Sequence, residues 1–327
     1  MQRQSRHILR VFAVLLVSAL SVGPGASAAV TTLEAGVLKT CLPRNAGVIA
    51  GRRLTGGSGF DFRVAKALAE KLGLQSEILW FENELEEESD PVRETYAMLA
   101  HGLCDIVPGH PRTVRAIGLP DYGEVTLPRW LGMPEEISRE TGLMTARKTN
   151  IVKTQPIAVS NGYMRSEIGL VYRRGTPMPE DLNDTHGRVL ALQQGTLSGA
   201  IVMIQSKPEV RALAKTFNPG AGFLWELESG GETLGIVDIL AFDAHRKANP
   251  FTEFELADWR HPIGMDIGVA ALTSNVVLMA EINRALDDLS REGAFQRFAK
   301  EEGMSYAPPK TDQLSGPLSM TTLLTER

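Results

Sequence analysis

Cysteine is nearly absent from this 327-residue chain, which contains Cys41 and Cys104 and no others. That excludes a disulfide-dense scaffold and any Cys-x-x-Cys redox or zinc motif. A basic excess is lacking too: 34 Lys and Arg stand against 39 Asp and Glu, a formal charge of −5. Such a balance argues against nucleic acid or an anionic membrane surface as the main partner. Four Trp and five Tyr are too few to suggest an aromatic-lined sugar groove. No GxSxG, HExxH or P-loop is present, and His101, His110, His186, His245 and His261 lie singly. The chain therefore points to no cofactor and no metal, and it is expected not to be an enzyme.

Long apolar runs are confined to the first residues. Arg3, Arg6 and Arg10 precede an apolar stretch from Val11 to Leu20, and the small-residue site Ala26-Ser27-Ala28 follows. This is the order of a secretory signal peptide over residues 1–28, and the run is short for a membrane span. An uncleaved anchor is the alternative. No Cys follows the site, which argues against a lipoprotein. Cleavage would remove three Arg and no acidic residue, moving the charge from −5 to −8. The exported remainder is long enough for two lobes of ordinary size. In an oxidising compartment Cys41 and Cys104 are expected to pair, the alternative being two separate buried thiols.

From residue 36 short apolar runs alternate with amphipathic stretches. "GVLKTCL" (36–42), "SEILWF" (76–81) and "CDIVPG" (104–109) read as strands. Between them, Phe62, Ala65, Leu68, Ala69 and Leu72 give one helical stripe, with Asp61 in the first turn and Gly73 as the stop. A second helix is expected near 93–101. Strand-helix-strand-helix-strand implies a parallel sheet with right-handed crossovers and a ligand beyond the strands' carboxyl ends. "ENELEEESD" (82–90) and residues 114–158 read as loop insertions, the first a solvated acidic run without the spacing of a calcium loop. "EIGLVYRRG" (167–175), "RVLALQ" (188–193), "GIVDILAFD" (235–243) and "IGMDIGVAAL" (263–272) read as further strands, and "GTLSGAIVMI" (195–204) as a helix start. Leu278, Ile282, Ala285, Leu286 and Leu289 mark a long helix stopped by Gly293, and residues 308–327 read as a polar surface tail.

The ordered series "GFDFRVAKALAEKLGL", "HGLCDIVPG", "PEDLNDTHGRVLALQQGT" and "GIVDILAFD" resembles the family 3 solute-binding proteins of bacterial uptake systems. The likeness covers most of residues 36–303 apart from the insertions. It implies an α/β, two-lobed type II periplasmic-binding-protein fold, each lobe a mainly parallel sheet flanked by helices. Lobe 1 would take residues 29–170 and 264–307, with the insertion at 114–158, and lobe 2 residues 171–263. In such proteins the glycine before the first helix ends a ligand-lining loop, and the Phe60-Asp61-Phe62 triplet starts the helix that supports it. "LKTCLP" and "GLCDIVPGHP" are also similar to the branch found beside periplasmic quinoprotein (methanol) dehydrogenases, although Leu42-Pro43 stands where that branch has Asp-Pro.

The resemblance implies a periplasmic protein that captures a small polar or anionic ligand for a membrane permease. The alternatives are an accessory protein bound to a periplasmic dehydrogenase, and a dehydratase-like enzyme on the same fold. Carboxylate ligands of the family are held by an Arg in a turn after the third strand, where a guanidinium can bond both oxygens; Arg112, Thr113 and Arg115 stand in that region. Gly195 and Thr196 sit between a strand and a helix start, where free N–H groups favour an anion or Thr196 simply caps the helix. Asp243 matches the position that takes a ligand ammonium group, unless it pairs with Arg246 or His245. Arg44 lies in the first loop, where the family lines its pocket.

Overall fold

A computed structural model describes residues 30–54, 56–82, 90–134, 150–218, 222–317 and 319–325. The expected signal peptide, nearly all of the acidic run and the middle of the 114–158 insertion lie outside the described residues. Strand β1 (Val37–Pro43) pairs in parallel with β4 (Gln75–Phe81) across helix α1 (Phe60–Lys71). A hairpin of β2 (Gly51–Arg53) and β3 (Gly56–Ser58) lies in the loop between β1 and α1. Helix α2 (Pro91–His101) starts on an Asp90 cap, whose carboxylate accepts from the N–H groups of Val92 (2.8 Å) and Arg93 (2.9 Å). It leads to β5 (Val107–Pro111), and a parallel bridge between Thr40 and Ile106 sets that segment on the other side of β1. The parallel β-α-β-α-β order expected from the sequence is thus present. Cys41 and Cys104 fall on these two neighbouring segments and form a disulfide with a Cα separation of 5.7 Å.

The start of α1 differs from the sequence expectation in a way that matters. The buried residues are Phe60, Asp61, Val64, Ala65, Leu68 and Ala69, so the stripe is turned toward the amino-terminal side and Asp61 is interior rather than a surface dipole partner. Phe60 is fully buried in a ring cluster with Tyr163, Phe295 and Tyr306, at centroid distances of 6.0–6.2 Å. The Tyr163 hydroxyl donates to Asp61 Oδ1 (2.7 Å) and accepts from the N–H of Gly109 in the middle of β5 (2.8 Å). Phe62 stacks on Trp80 of β4 instead of joining the stripe. Gly59 takes φ +109°, and a Cβ there would come within 2.5 Å of the Ile49 carbonyl oxygen, so only glycine lets the first loop press on the helix start.

The insertion carries three short strands where the sequence showed only loop: β6 (Glu124–Thr126) and β7 (Ile151–Lys153) pair with each other, and β8 (Ile157–Val159) joins the main sheet. Next come β9 (Met164–Arg173), β10 (Leu190–Gln193), α3 (Leu197–Gln205), α4 (Pro208–Ala212), β11 (Lys215–Phe217), α5 (Phe223–Ser229), β12 (Leu234–Asp238), α6 (Ile239–Ala248) and β13 (Phe254–Leu272). The sheet order is β11-β10-β12-β9-β13-β5, with β8 also on β13. Strands β10, β11 and β12 are mutually parallel, while β9 and β13 run antiparallel to their neighbours and cross from one lobe to the other. Helices α7 (Val276–Arg291) and α8 (Ala294–Glu302) return to the Phe60 side, where their apolar faces complete that core.

Two expectations are corrected. The stretch 235–243 is a strand only to Asp238, which then caps α6 by accepting from the N–H groups of Leu240 (2.9 Å) and Ala241 (3.2 Å). The carboxyl-terminal residues are not a free surface tail: they hydrogen-bond along β13 and end in helix α9 (Met320–Thr325), whose Leu323 packs into the lobe 2 core.

Burial pushes the Asp61 carboxyl up to about 7, against which the Tyr163 hydrogen bond works only partly. Between the usual unfolded value near 4 and this folded value, the folded state keeps a proton that the unfolded state has lost. This group therefore makes stability fall as pH rises from about 4 to about 7. Asp61→Asn removes that slope. In denaturant titrations, wild-type stability minus variant stability is expected to drop by about 3 kcal/mol between pH 5 and pH 8.

Candidate functional site

A cavity of about 540 Å³ lies at the carboxyl ends of the lobe 2 strands. Gln193 ends β10 and Asp238 ends β12, and both line it. The first residues of α3 and α5 surround it: Thr196 and Ser198 on one side, Phe223 and Trp225 on the other. Ser166 of β9 and Gly264 and Met265 of β13 close it on the hinge side. This is where an open parallel sheet gathers helix amino-termini, and so where it offers unpaired N–H groups to a ligand.

Asp238 is the one acidic side chain among the described lining residues. Its Oδ2 accepts from the Ser166 hydroxyl (2.7 Å), which ties the lobe 2 strand end to the first crossing strand. Burial raises its carboxyl pKa, opposed by the bonds from Ser166 and from the helix N–H groups. Thr196 is the amino-terminal cap of α3: its hydroxyl donates to the Gln193 carbonyl (2.8 Å) and accepts from Gly199 N–H (3.1 Å). The Ser198 hydroxyl lies 2.9 Å from it.

The outer wall is aromatic. Trp225 meets His245 edge to face at 4.6 Å. His245 Nε2 lies 3.1 Å from Glu228 Oε2, which also accepts from the Thr252 hydroxyl (2.6 Å). Burial pushes Glu228 up, but the bonds from Thr252, the Glu253 N–H and His245 outweigh it and hold the carboxylate below its usual range. Apolar surface dominates the remaining wall, from Ile168, Ile236, Ala241, Ala244 and Ala248. No Lys or Arg is found among the described lining residues.

The residues singled out by sequence separate into those at the cavity and those elsewhere. Thr196 lines it, and Gly195 supplies the turn before it at φ +74°. Asp243 does not line it. It is fully buried, accepts from the Ser305 N–H and hydroxyl and pairs with Arg246 at 2.8 Å, so it is a structural anchor. The cavity carboxylate is Asp238, five residues earlier. The one available signal was that an acid ending a strand and opening a helix stands at the carboxyl edge, and reading the strand through to 243 hid it.

Arg112 does not line the cavity either. It is 4% exposed and its guanidinium donates to three main-chain carbonyls: Ser160 (2.9 Å), Thr311 (2.8 Å) and Asp312 (2.8 Å). Thr113 forms a parallel bridge with Ser315, and Arg115 is exposed; neither lines the cavity. Arg44 pairs with Glu82 at 2.7 Å on the surface. The first loop nevertheless comes close to the site through Gly47, where a Cβ would lie 2.5 Å from that of Ala244. With φ +61°, Gly47 admits this approach where a side chain would wedge α6 away.

Solved structures of other proteins share this fold. Substrate-binding domain 2 of GlnP from Lactococcus lactis, in an open conformation, is 15% identical; the match covers 84% of this chain and 98% of that one, with a TM-score of 0.56. The L-cystine solute receptor of Neisseria gonorrhoeae, unliganded and open, is 18% identical over 86% of this chain and 95% of that one, with a TM-score of 0.53. The fold is the two-lobed type II periplasmic-binding-protein fold. At these identities the likeness establishes that fold alone. No family model and no curated protein sequence matches the chain.

If Arg112 is a tie and not a clamp, Arg112→Met strands three carbonyls and should destabilise the protein by roughly 3–5 kcal/mol. Ligand affinity should stay within about threefold of wild type. Chemical denaturation paired with a binding titration checks this; normal stability with a large affinity loss would restore the clamp.

Proposed function

We propose that this protein is an exported, periplasmic solute receptor that captures a small molecule in the lobe 2 cavity and delivers it to a membrane permease. The observation that carries the reading is the cavity itself: closed by both crossing strands, large enough for a small metabolite, and set at the strand ends where this fold gathers polar groups. Lobe 1 (29–170 and 264–307) and lobe 2 (171–263) would move about the crossing strands as bodies, and ligand contacts made from both sides would favour the closed form.

The lining also bears on the ligand. One carboxylate, Asp238, faces a predominantly apolar wall with Trp225 and Phe223, and the described lining supplies no cation. That arrangement favours a molecule with an amino group at Asp238 and an apolar body against the aromatic wall. Any anionic group would be left to the α3 amino-terminus at Thr196 and Ser198. Amino acids with apolar side chains, and amines of similar size, fit this description better than organic diacids.

A thermal-shift screen of amino acids, amines, organic acids and alcohols tests the reading. A true ligand at a hundred times its Kd adds about 2.7 kcal/mol, a rise in apparent Tm on the order of 5–10 °C. No shift from any of these classes would remove the receptor reading. For a hit that carries an amine, Asp238→Asn should weaken binding by about tenfold to a hundredfold in calorimetry, the loss of one charged hydrogen bond. An unchanged affinity would place the amine elsewhere.

A further inference from the structure

We propose that the carboxyl-terminal segment, residues 305–325, is a strap that joins the two lobes and limits how far they can part. It begins at Ser305, bonded to Asp243 of α6, and at Tyr306, whose hydroxyl donates to the Tyr163 carbonyl (3.0 Å). It then runs along both crossing strands, β9 and β13. Arg165 N–H donates to the Ala307 carbonyl (2.9 Å). The Asp266 carboxylate of β13, 1% exposed, accepts from the main-chain N–H groups of Lys310 (3.2 Å) and Thr311 (3.1 Å) and from the Arg165 guanidinium (2.7 Å).

From there the strap is fixed to lobe 1. Arg112 holds the carbonyls of Thr311 and Asp312, and Ser315 exchanges main-chain hydrogen bonds with the segment after β5: its N–H donates to Arg112 O (2.9 Å) and its carbonyl accepts from Val114 N–H (3.0 Å). A few residues later the same strap is fixed to lobe 2. Ser319 caps α9, Leu323 packs with Ile201 and Val202 of α3, and the Gln205 amide donates to the Leu323 carbonyl. The other end of that amide meets His261 of β13 at 2.8 Å, so the socket for α9 is built from two elements.

Only three residues separate Ser315, held by lobe 1, from Ser319, held by lobe 2. Fully extended, the link spans at most about 14 Å. Any opening that carries these two points further apart has to pull α9 from its socket or break the Arg112 bonds. The helix that carries the socket is also the helix whose first turn lines the cavity, so the strap bears on the part of lobe 2 that meets the ligand.

The test uses spin labels on Leu213→Cys in lobe 2 and Arg284→Cys in lobe 1, both exposed, with Cys41 and Cys104 left in their disulfide. Inter-label distances are measured by pulsed electron paramagnetic resonance on unliganded protein. Two strap variants are compared with the parent: Leu323→Asp, which undocks α9, and six Gly/Ser residues inserted after Gly316, which lengthens the link and leaves both anchors intact. The expected result is a shift of the distance distribution to longer values, by about 5 Å or more, in both variants. Should Leu323→Asp fail to fold, the insertion alone decides. A distribution in the insertion variant that superimposes on the parent's would overturn the proposal, because a strap that limits nothing gains nothing from extra length.

Discussion

The hydrogen-bonded chain from Asp61 through Tyr163 to Gly109 is the contact on which the arrangement of the molecule turns. Each member belongs to a different element: the first turn of α1, the entry to the first crossing strand, and the middle of β5. A buried carboxyl and a buried phenol are each costly to leave without partners, and here they satisfy one another and a main-chain N–H together. The Phe60 ring cluster packs beside them, so the apolar core and the polar chain share one location. This joint fixes where the crossing strands leave lobe 1, and through them where Ser166 meets Asp238 at the cavity.

Much of the fold was legible in the sequence because periodicity and turn chemistry agree along most of the chain. The parallel order of β1, β4 and β5 and the long α7 with its stop at Gly293 followed from local pattern, and the pairing of the two cysteines from the expectation of export. What escaped was long-range. Nothing near Asp61 announces that Tyr163, more than a hundred residues on, will bury it. The apolar run Ile239, Leu240, Ala241, Phe242 suits either a strand or a buried helix, and only the cap geometry of Asp238 decides. Arg112 stands in the right stretch for a ligand clamp, but its partners are supplied by residues 311 and 312, which composition alone marks as a polar tail.

The chemistry of the cavity follows from how the sheet ends are covered. Three helices begin around it, yet their first residues are mostly apolar or short hydroxyls, so the site offers directed N–H groups in a low-dielectric wall. In such surroundings one carboxylate weighs more than it would on the surface. Asp238 is held by its own helix start and by Ser166, which fixes the direction of its oxygens before any ligand arrives.

The disulfide sets a different kind of boundary. Between Cys41 and Cys104 lie α1, β4, the acidic run and α2, a loop of 63 residues in sequence separation. A protease that cuts once anywhere in that loop produces two polypeptides still joined by a covalent bond. Such a nicked molecule stays one covalent species, heavier by a single water, until a reductant is added, when it resolves into two fragments. A single cut in the acidic run would leave the fragment that carries β1 tethered, through Cys41, to Cys104 just ahead of β5.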